Sequence, residues 1–276
     1  LEVRRLAEIR VKDLHFSYTP GVEVLRGINL VLSPGSVAIV GQNGAGKSTF
    51  VRLLNGLLRP TQGEVWVDDL STASTTVASM ARKVGLVFQN PTDQLFKSRV
   101  LDEVMFGPLN LGASQDEARQ RAEAALARVG LTGAEARNPY DLGLAERKLV
   151  TIASVLAMDT PVVILDEPTI AQDVTGVRQI GDIVTWLQEQ GRTVITITHD
   201  MDFVARYFQR VLVFQAGQVL ADGTAEEIFS RPDLLRQAGL EPPPITVLGQ
   251  RLGLARPPLT VEGFVARLRG PNGLAP

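Results

Sequence analysis

Nine residues, GQNGAGKST at 41–49, constrain the fold of this chain more than any other stretch. They fit the pattern GxxxxGK(S/T), placed where an apolar run at 37–40 gives way to a helix-like segment at 47–58. In such a strand–loop–helix unit the glycines let successive backbone N–H groups turn inward around a β-phosphate, and the helix N-terminus adds its partial positive charge. Lys47 is placed to reach the β- and γ-phosphates, and the Ser48 hydroxyl to ligate Mg2+. The expected phosphate site is therefore Gly41, Gln42, Asn43, Gly44, Ala45, Gly46, Lys47, Ser48 and Thr49, and the expected ligand is a nucleoside triphosphate.

The wider pattern agrees with an α/β chain. Apolar runs alternate with helix-like stretches, and strands are expected at 9–16, 28–32, 37–40, 63–67, 84–88, 162–165, 194–198, 211–214 and 218–221. The unbroken run VVIL at 162–165 reads as a strand buried on both faces, which implies a parallel sheet with helices on either side. Ser114 is followed three residues later by Glu117, and Thr224 by Glu227, both with capping-box spacing; Gly130 is placed to close the first of these helices. From about 96 to 148 the strand candidates disappear and the pattern reads helix, loop, helix, loop, helix, as a helical insertion into the core. After Gly239 come Pro242, Pro243 and Pro244, then two apolar stripes: Ile245, Leu248, Leu252, and Val261, Phe264, Val265, Leu268.

Composition excludes several function classes. Cysteine is absent, so disulfides and thiolate metal sites are ruled out and a reducing cytosol suits the chain. A net charge of −2 gives no electrostatic support for a nucleic-acid partner. No apolar run approaches the roughly 18–20 residues that cross a bilayer. The first ten residues, LEVRRLAEIR, carry charges throughout, unlike a secretory signal. Membrane association is expected only through a protein partner.

A second motif sharpens the reading. VVILDEP at 162–168 ends a buried strand in two adjacent carboxylates. Asp166 is placed to hold Mg2+, and Glu167 to orient and deprotonate an attacking water. Together with the loop at 41–49, these residues resemble the nucleotide-binding subunit of an ABC transporter. The resemblance implies a P-loop NTPase fold with an antiparallel β subdomain, a RecA-like parallel-sheet core and a helical subdomain. It implies ATP and Mg2+ as ligands. Within it, Tyr18 matches the aromatic that stacks on adenine, and Gln89 in VFQN the glutamine that contacts Mg2+ and the attacking water. Asp173 in TIAQD matches the acidic residue that crosses the dimer interface, and His199 in TITHD the histidine that holds the γ-phosphate.

The runs FQNPTDQLF at 88–96 and LDEVMFGPLNLG at 101–112 narrow the resemblance to the ATPase subunits of energy-coupling-factor importers of vitamins and metal ions. In that family this region meets a membrane-embedded coupling protein, which works with a substrate-binding membrane subunit; Leu95 and Phe96 are the expected apolar contacts. The expected organisation is a nucleotide-binding domain at 1–239, with its helical subdomain at about 96–148, and a C-terminal extension at 240–276 that resembles a dimerisation element. The expected location is the cytoplasmic face of the cell membrane.

One departure stands out. Where the family carries LSGGQ, this chain has Leu142, Gly143, Leu144, Ala145 and Glu146. The serine hydroxyl is lost, and Leu144 and Ala145 replace both glycines and hinder close backbone approach. In the family that motif binds the γ-phosphate held by the opposite subunit, so this half-site is expected to be impaired while the chain's own phosphate loop and base are intact. A second, different ATPase subunit is therefore favoured over a homodimer. The alternatives are a subunit that binds ATP with little turnover and a soluble non-transport member of the family.

Overall fold

The computed structural model describes residues 7–254 and 256–269. The chain opens with β1 (Ile9–Thr19), β2 (Val22–Leu32) and β3 (Gly35–Val40), then α1 (Lys47–Leu54), β4 (Gln62–Val67), β5 (Leu70–Ser71), α2 (Val77–Met80) and β6 (Val84–Val87). Three helices follow without a strand: α3 (Val100–Asn110), α4 (Gln115–Arg128) and α5 (Leu144–Ala157). Alternation then resumes with β7 (Val162–Asp166), α6 (Val174–Glu189), β8 (Thr193–Ile197), α7 (Met201–Tyr207), β9 (Arg210–Gln215) and β10 (Gln218–Thr224). The chain closes with α8 (Ala225–Phe229), α9 (Pro232–Gln237), α10 (Pro244–Arg251) and α11 (Val261–Arg269).

All nine expected strands are present. β2 starts six residues before its apolar stretch, because its first half is an exposed ribbon paired antiparallel with β1. The two-residue β5 is too short to leave a pattern. The strands form two sheets: antiparallel β2-β1-β4-β5, and a six-stranded sheet in the order β10-β9-β3-β8-β7-β6. Within the larger sheet β9, β3, β8, β7 and β6 run parallel and β10 is antiparallel to β9.

Every residue of β7 and β8 is buried, as the run at 162–165 predicts. Their alternate side chains feed two cores. Val163, Leu165 and Val194 join the core shared with the helical segment, whereas Val162, Ile164, Ile195 and Ile197 join the core shared with α1 and the antiparallel sheet. A strand with hydrophobic neighbours on both faces has one available register, since a one-residue slip would exchange its two faces. The loops after these strands are accordingly held in place.

Local signals fared unevenly. Thr224 and Glu227 form the full reciprocal cap of α8, at 3.2 and 2.8 Å. Ser114 caps α4 at 3.2 Å, but Glu117 does not return the bond because its carboxylate pairs with Arg121 one turn on. Gly130 adopts φ 68° and closes α4, with Leu131 N–H donating to Leu126 O at 2.9 Å. In the tail, α10 buries Thr246 and Gly249 and leaves Leu248 exposed. Of the second stripe only Phe264 is buried.

Candidate nucleotide site

Strand order assembles the site. The loops after β3, β8, β7 and β6, four adjacent parallel strands, carry in turn the phosphate loop, His199, the Asp166–Glu167 pair and Gln89. Ligands of open α/β sheets bind outside these carboxyl ends. Residues 43–49, Gln89, Asp166, Glu167 and His199 line one cavity of about 280 Å³ with Val24 and Ile197. Gly41, Gln42 and Tyr18 are not among the residues that line it.

Two glycines shape the loop by close approach. A Cβ on Gly41, at φ 150°, would lie 2.3 Å from the Phe214 carbonyl oxygen of β9. On Gly46, at φ 98°, it would lie 2.6 Å from Leu25. Lys47 is buried at the start of α1, and its Nζ donates to the carbonyls of Gly41 and Gln42 at 2.6 and 2.9 Å. The ammonium is thus held over the loop by dipoles, 3.5 Å from His199 Nε2. Burial lowers its pKa, against the raising effect of Glu167 and Asp166. Tyr18 ends β1 with its Oη 3.2 Å from Thr49 Oγ1, its ring edge-on to Phe16 and largely exposed.

The carboxylates differ although they are neighbours. Asp166 is buried, its carboxylate takes a hydrogen bond from Ser48, and its Oδ1 has no partner. Burial pushes its pKa up; the Ser48 bond and the charges of Lys148, Arg52 and Lys47 oppose this. Glu167 sits at φ 48°, a left-handed conformation that a residue with Cβ adopts only under constraint. Burial, then the charge of Asp166, raises its pKa to about 7. Its Oε1 lies 3.2 Å from His199 Nε2, whose pKa burial and Lys47 depress. A carboxylate poised near neutrality beside an uncharged imidazole can take a proton from water and hold it.

Gln89 is exposed and reaches the cavity at the end of β6. Asp173 caps α6, accepting from Gly176 N–H at 2.8 Å. Leu142 is buried, but Gly143 and Leu144 are exposed at the start of α5, and Glu146 caps Gly143 N–H at 3.0 Å. Leu95 corrects an expectation: it is 3% exposed and belongs to the core, so it contacts no partner. The exposed aromatics of that region are Phe96 and Phe106, whose rings meet edge-on at 4.7 Å under the Lys97 ammonium.

Sequence reasoning missed Lys148. It lies on the buried face of α5, and its Nζ donates to the carbonyls of Gln89 (2.5 Å), Phe88 (3.0 Å) and Asp166 (3.4 Å). Desolvation lowers its pKa to about 8, against the raising charges of Asp166 and Glu167. The only signal was a lysine opening an apolar helical run, which reads equally well as a surface position.

Phosphate loop, buried strand-end carboxylates and parallel strand order together define a P-loop nucleoside triphosphatase. An ABC transporter family model matches residues 25–170, and the chain belongs to that family as an ATP-binding subunit. It is 41% identical over 250 residues to the energy-coupling factor transporter ATP-binding protein EcfA of Methanothermobacter thermautotrophicus, covering 90% of this chain and 80% of that protein. Among solved structures it is similar to cbiO1 of Clostridium perfringens, part of the ABC transporter complex cbiONQ, with TM-score 0.74, 34% identity and coverage of 89% and 98%. It is also similar to a dimeric ATP-binding cassette in a post-hydrolysis state with ADP and Pi bound, with TM-score 0.72, 26% identity and coverage of 79% and 98%. The activity is ATP hydrolysis coupled to transport. No helix among the described residues is long and apolar enough to cross a membrane.

Proposed function

We propose that this chain energises an importer of the energy-coupling-factor type from the cytoplasmic face of the membrane, paired with a second, different ATPase subunit. The observation that carries the catalytic part is the meeting of Lys47, Asp166, Glu167 and His199 in one cavity at adjacent strand ends. Lys47 and the loop N–H groups bind the β- and γ-phosphates, and Tyr18 stacks on adenine beside Thr49. Glu167 accepts the proton of the attacking water, while His199 holds the γ-phosphate and orients the Glu167 carboxylate. Asp166 and Ser48 fit Mg2+, with Gln89 at the cavity edge: an orphaned, buried carboxylate oxygen next to a hydroxyl is a hard-oxygen donor set. When bound, Mg2+ would neutralise charge on the phosphates.

The membrane-facing part rests on an apolar groove of about 270 Å³ lined by Leu57, Val77, Phe88, Phe96, Phe106 and Met158, among others. Buried Glu103 fixes one wall by accepting the N–H groups of Phe96 and Lys97 at 2.9 and 2.7 Å. Such a groove suits an apolar helix of a coupling protein, and the similarity to EcfA supports that partner. Exposed Leu248, Leu252, Val265 and Leu268 support a dimerisation role for residues 240–276.

The test is copurification with the native membrane subunits. Replacing Phe96 and Phe106 with Asp should abolish assembly, because the groove would then bury charges without partners. ATP binding should be unchanged, since neither residue lines the nucleotide cavity. Undiminished copurification would sink the importer assignment.

A further inference from the structure

Lys148 is the most heavily buried charged residue among the described residues, 2% exposed. An ammonium has three N–H donors, and here they meet three backbone carbonyls at 2.5, 3.0 and 3.4 Å. No carboxylate is among these hydrogen-bond acceptors. The helix does not need the charge: the flanking inward positions of α5 are Val150, Thr151, Ile152 and Ala153, and an apolar side chain would bury at lower cost. The ammonium adds geometry. It ties the end of β6, at Phe88 and Gln89, to the end of β7, at Asp166, and both to α5.

A second tie runs from the same segment. Tyr140 lies just before the turn at 142–146, and its Oη donates to the Leu95 carbonyl at 2.7 Å. The loop between Phe88 and Leu95 is therefore held at both ends by residues 140 and 148, which bracket the turn that opens α5. The loop's inner bonds are local: Asn90 caps Thr92, and Gln94 Oε1 accepts from Phe88 N–H. Its internal shape is fixed, so its placement depends on the two outer ties.

We propose that Lys148 is a positioning residue for ATP hydrolysis: by clamping the ends of β6 and β7 to α5, it sets where Gln89 and Asp166 stand relative to the phosphate loop. The inference rests on the roles given above to Gln89 and Asp166. Lys148 does not line the nucleotide cavity, and acts through the two residues it places. Tyr140 is the outer anchor of the same loop.

Three measurements on the full chain test the clamp, using Lys148→Met, which matches the side chain in length but has no donor, and Tyr140→Phe, which loses one hydroxyl. Hydrogen exchange of the ligand-free protein should rise about tenfold across 88–96 in Lys148→Met and only near 93–96 in Tyr140→Phe. Affinity for a fluorescent ATP analogue without Mg2+ should stay within about threefold of the parent, because Lys47 and the loop are untouched. The gain in affinity on adding Mg2+ should shrink about tenfold in Lys148→Met and persist in Tyr140→Phe. Parental exchange in 88–96, or a parental Mg2+ gain in Lys148→Met, overturns the proposal. Loss of affinity without Mg2+ to the same extent also overturns it, because that is the signature of a merely structural role. If Lys148→Met fails to fold, Lys148→Gln, with a shorter neutral donor, must show the same loss of Mg2+ gain. A parental chain that binds no ATP analogue at all would instead overturn the proposed function.

Discussion

Asp166, Glu167 and the phosphate loop stand at the ends of strands buried on both faces, whereas Gly143 and Leu144 stand exposed at the start of α5. In the first region the anchoring residues pack into the core: Gly41 abuts Phe214, and Asp166 ends a strand with no exposed residue. In the second, a Cβ built on Gly143 meets nothing within 4 Å except the Glu146 carboxylate at 3.7 Å, and its φ is −65°. Gly41 and Gly46 of the strand-end site have no room for a side chain, whereas Gly143 does. Packing therefore imposes no structural necessity on the departure from the family pattern at Gly143.

The largest effect that would sharpen this contrast is at Glu167. Replacing it with Gln should lower turnover by about 10²–10⁴ and leave ATP binding intact, measured on the assembled complex. Turnover at the parental rate would remove Glu167 as the base. The same variant has a second signature. Because the folded pKa, about 7, lies above the ordinary 4.5, the native state holds this proton more tightly than the unfolded chain. Parental stability should thus fall as pH rises from about 4.5 to 7, by up to about 3 kcal/mol, and Glu167→Gln should flatten that slope in denaturant titrations.

Lys47→Ala comes next, with nucleotide affinity expected to drop about 10²-fold as the phosphate tail loses its cationic contact. Affinity equal to the parent would displace the assigned site. A smaller gain is expected from Gly143→Ser with Leu144→Gly and Ala145→Gly. The fold should accept the serine, and if the turn limits one of two half-sites, the single-turnover amplitude should rise about twofold. An unchanged amplitude, or a parental homodimer that already hydrolyses at both sites, would break the comparison. The smallest effect is at Asp173, where Ala should cost about 1 kcal/mol through loss of the α6 cap. Weaker association with the second subunit beyond that would place Asp173 at the interface as well.

Much of this was legible in the sequence wherever signals were local. The loop at 41–49, the carboxylate pair and nine strands are short-range patterns, and each strand is present, though β2 begins six residues before its expected start. What stayed hidden depends on pairing between distant segments. Nothing local says that β8 lies between β3 and β7, the arrangement that carries His199 to Glu167. Leu95 looked like a surface contact because it sits in a polar loop, yet it turns inward while its neighbour Phe96 turns out. Lys148 is the same error reversed, since a charged residue suggests water until the carbonyls that receive it are seen.

The backbone at Glu167 carries a warning for anyone who would engineer this protein. Its left-handed conformation favours glycine or asparagine, and its buried acid favours an uncharged amide. With Glu167 as the proposed base, a screen for heat tolerance alone should enrich substitutions at 167 and deliver sturdier molecules with little turnover. Selection on this chain must reward throughput at every round, because at this position robustness and chemistry point in opposite directions.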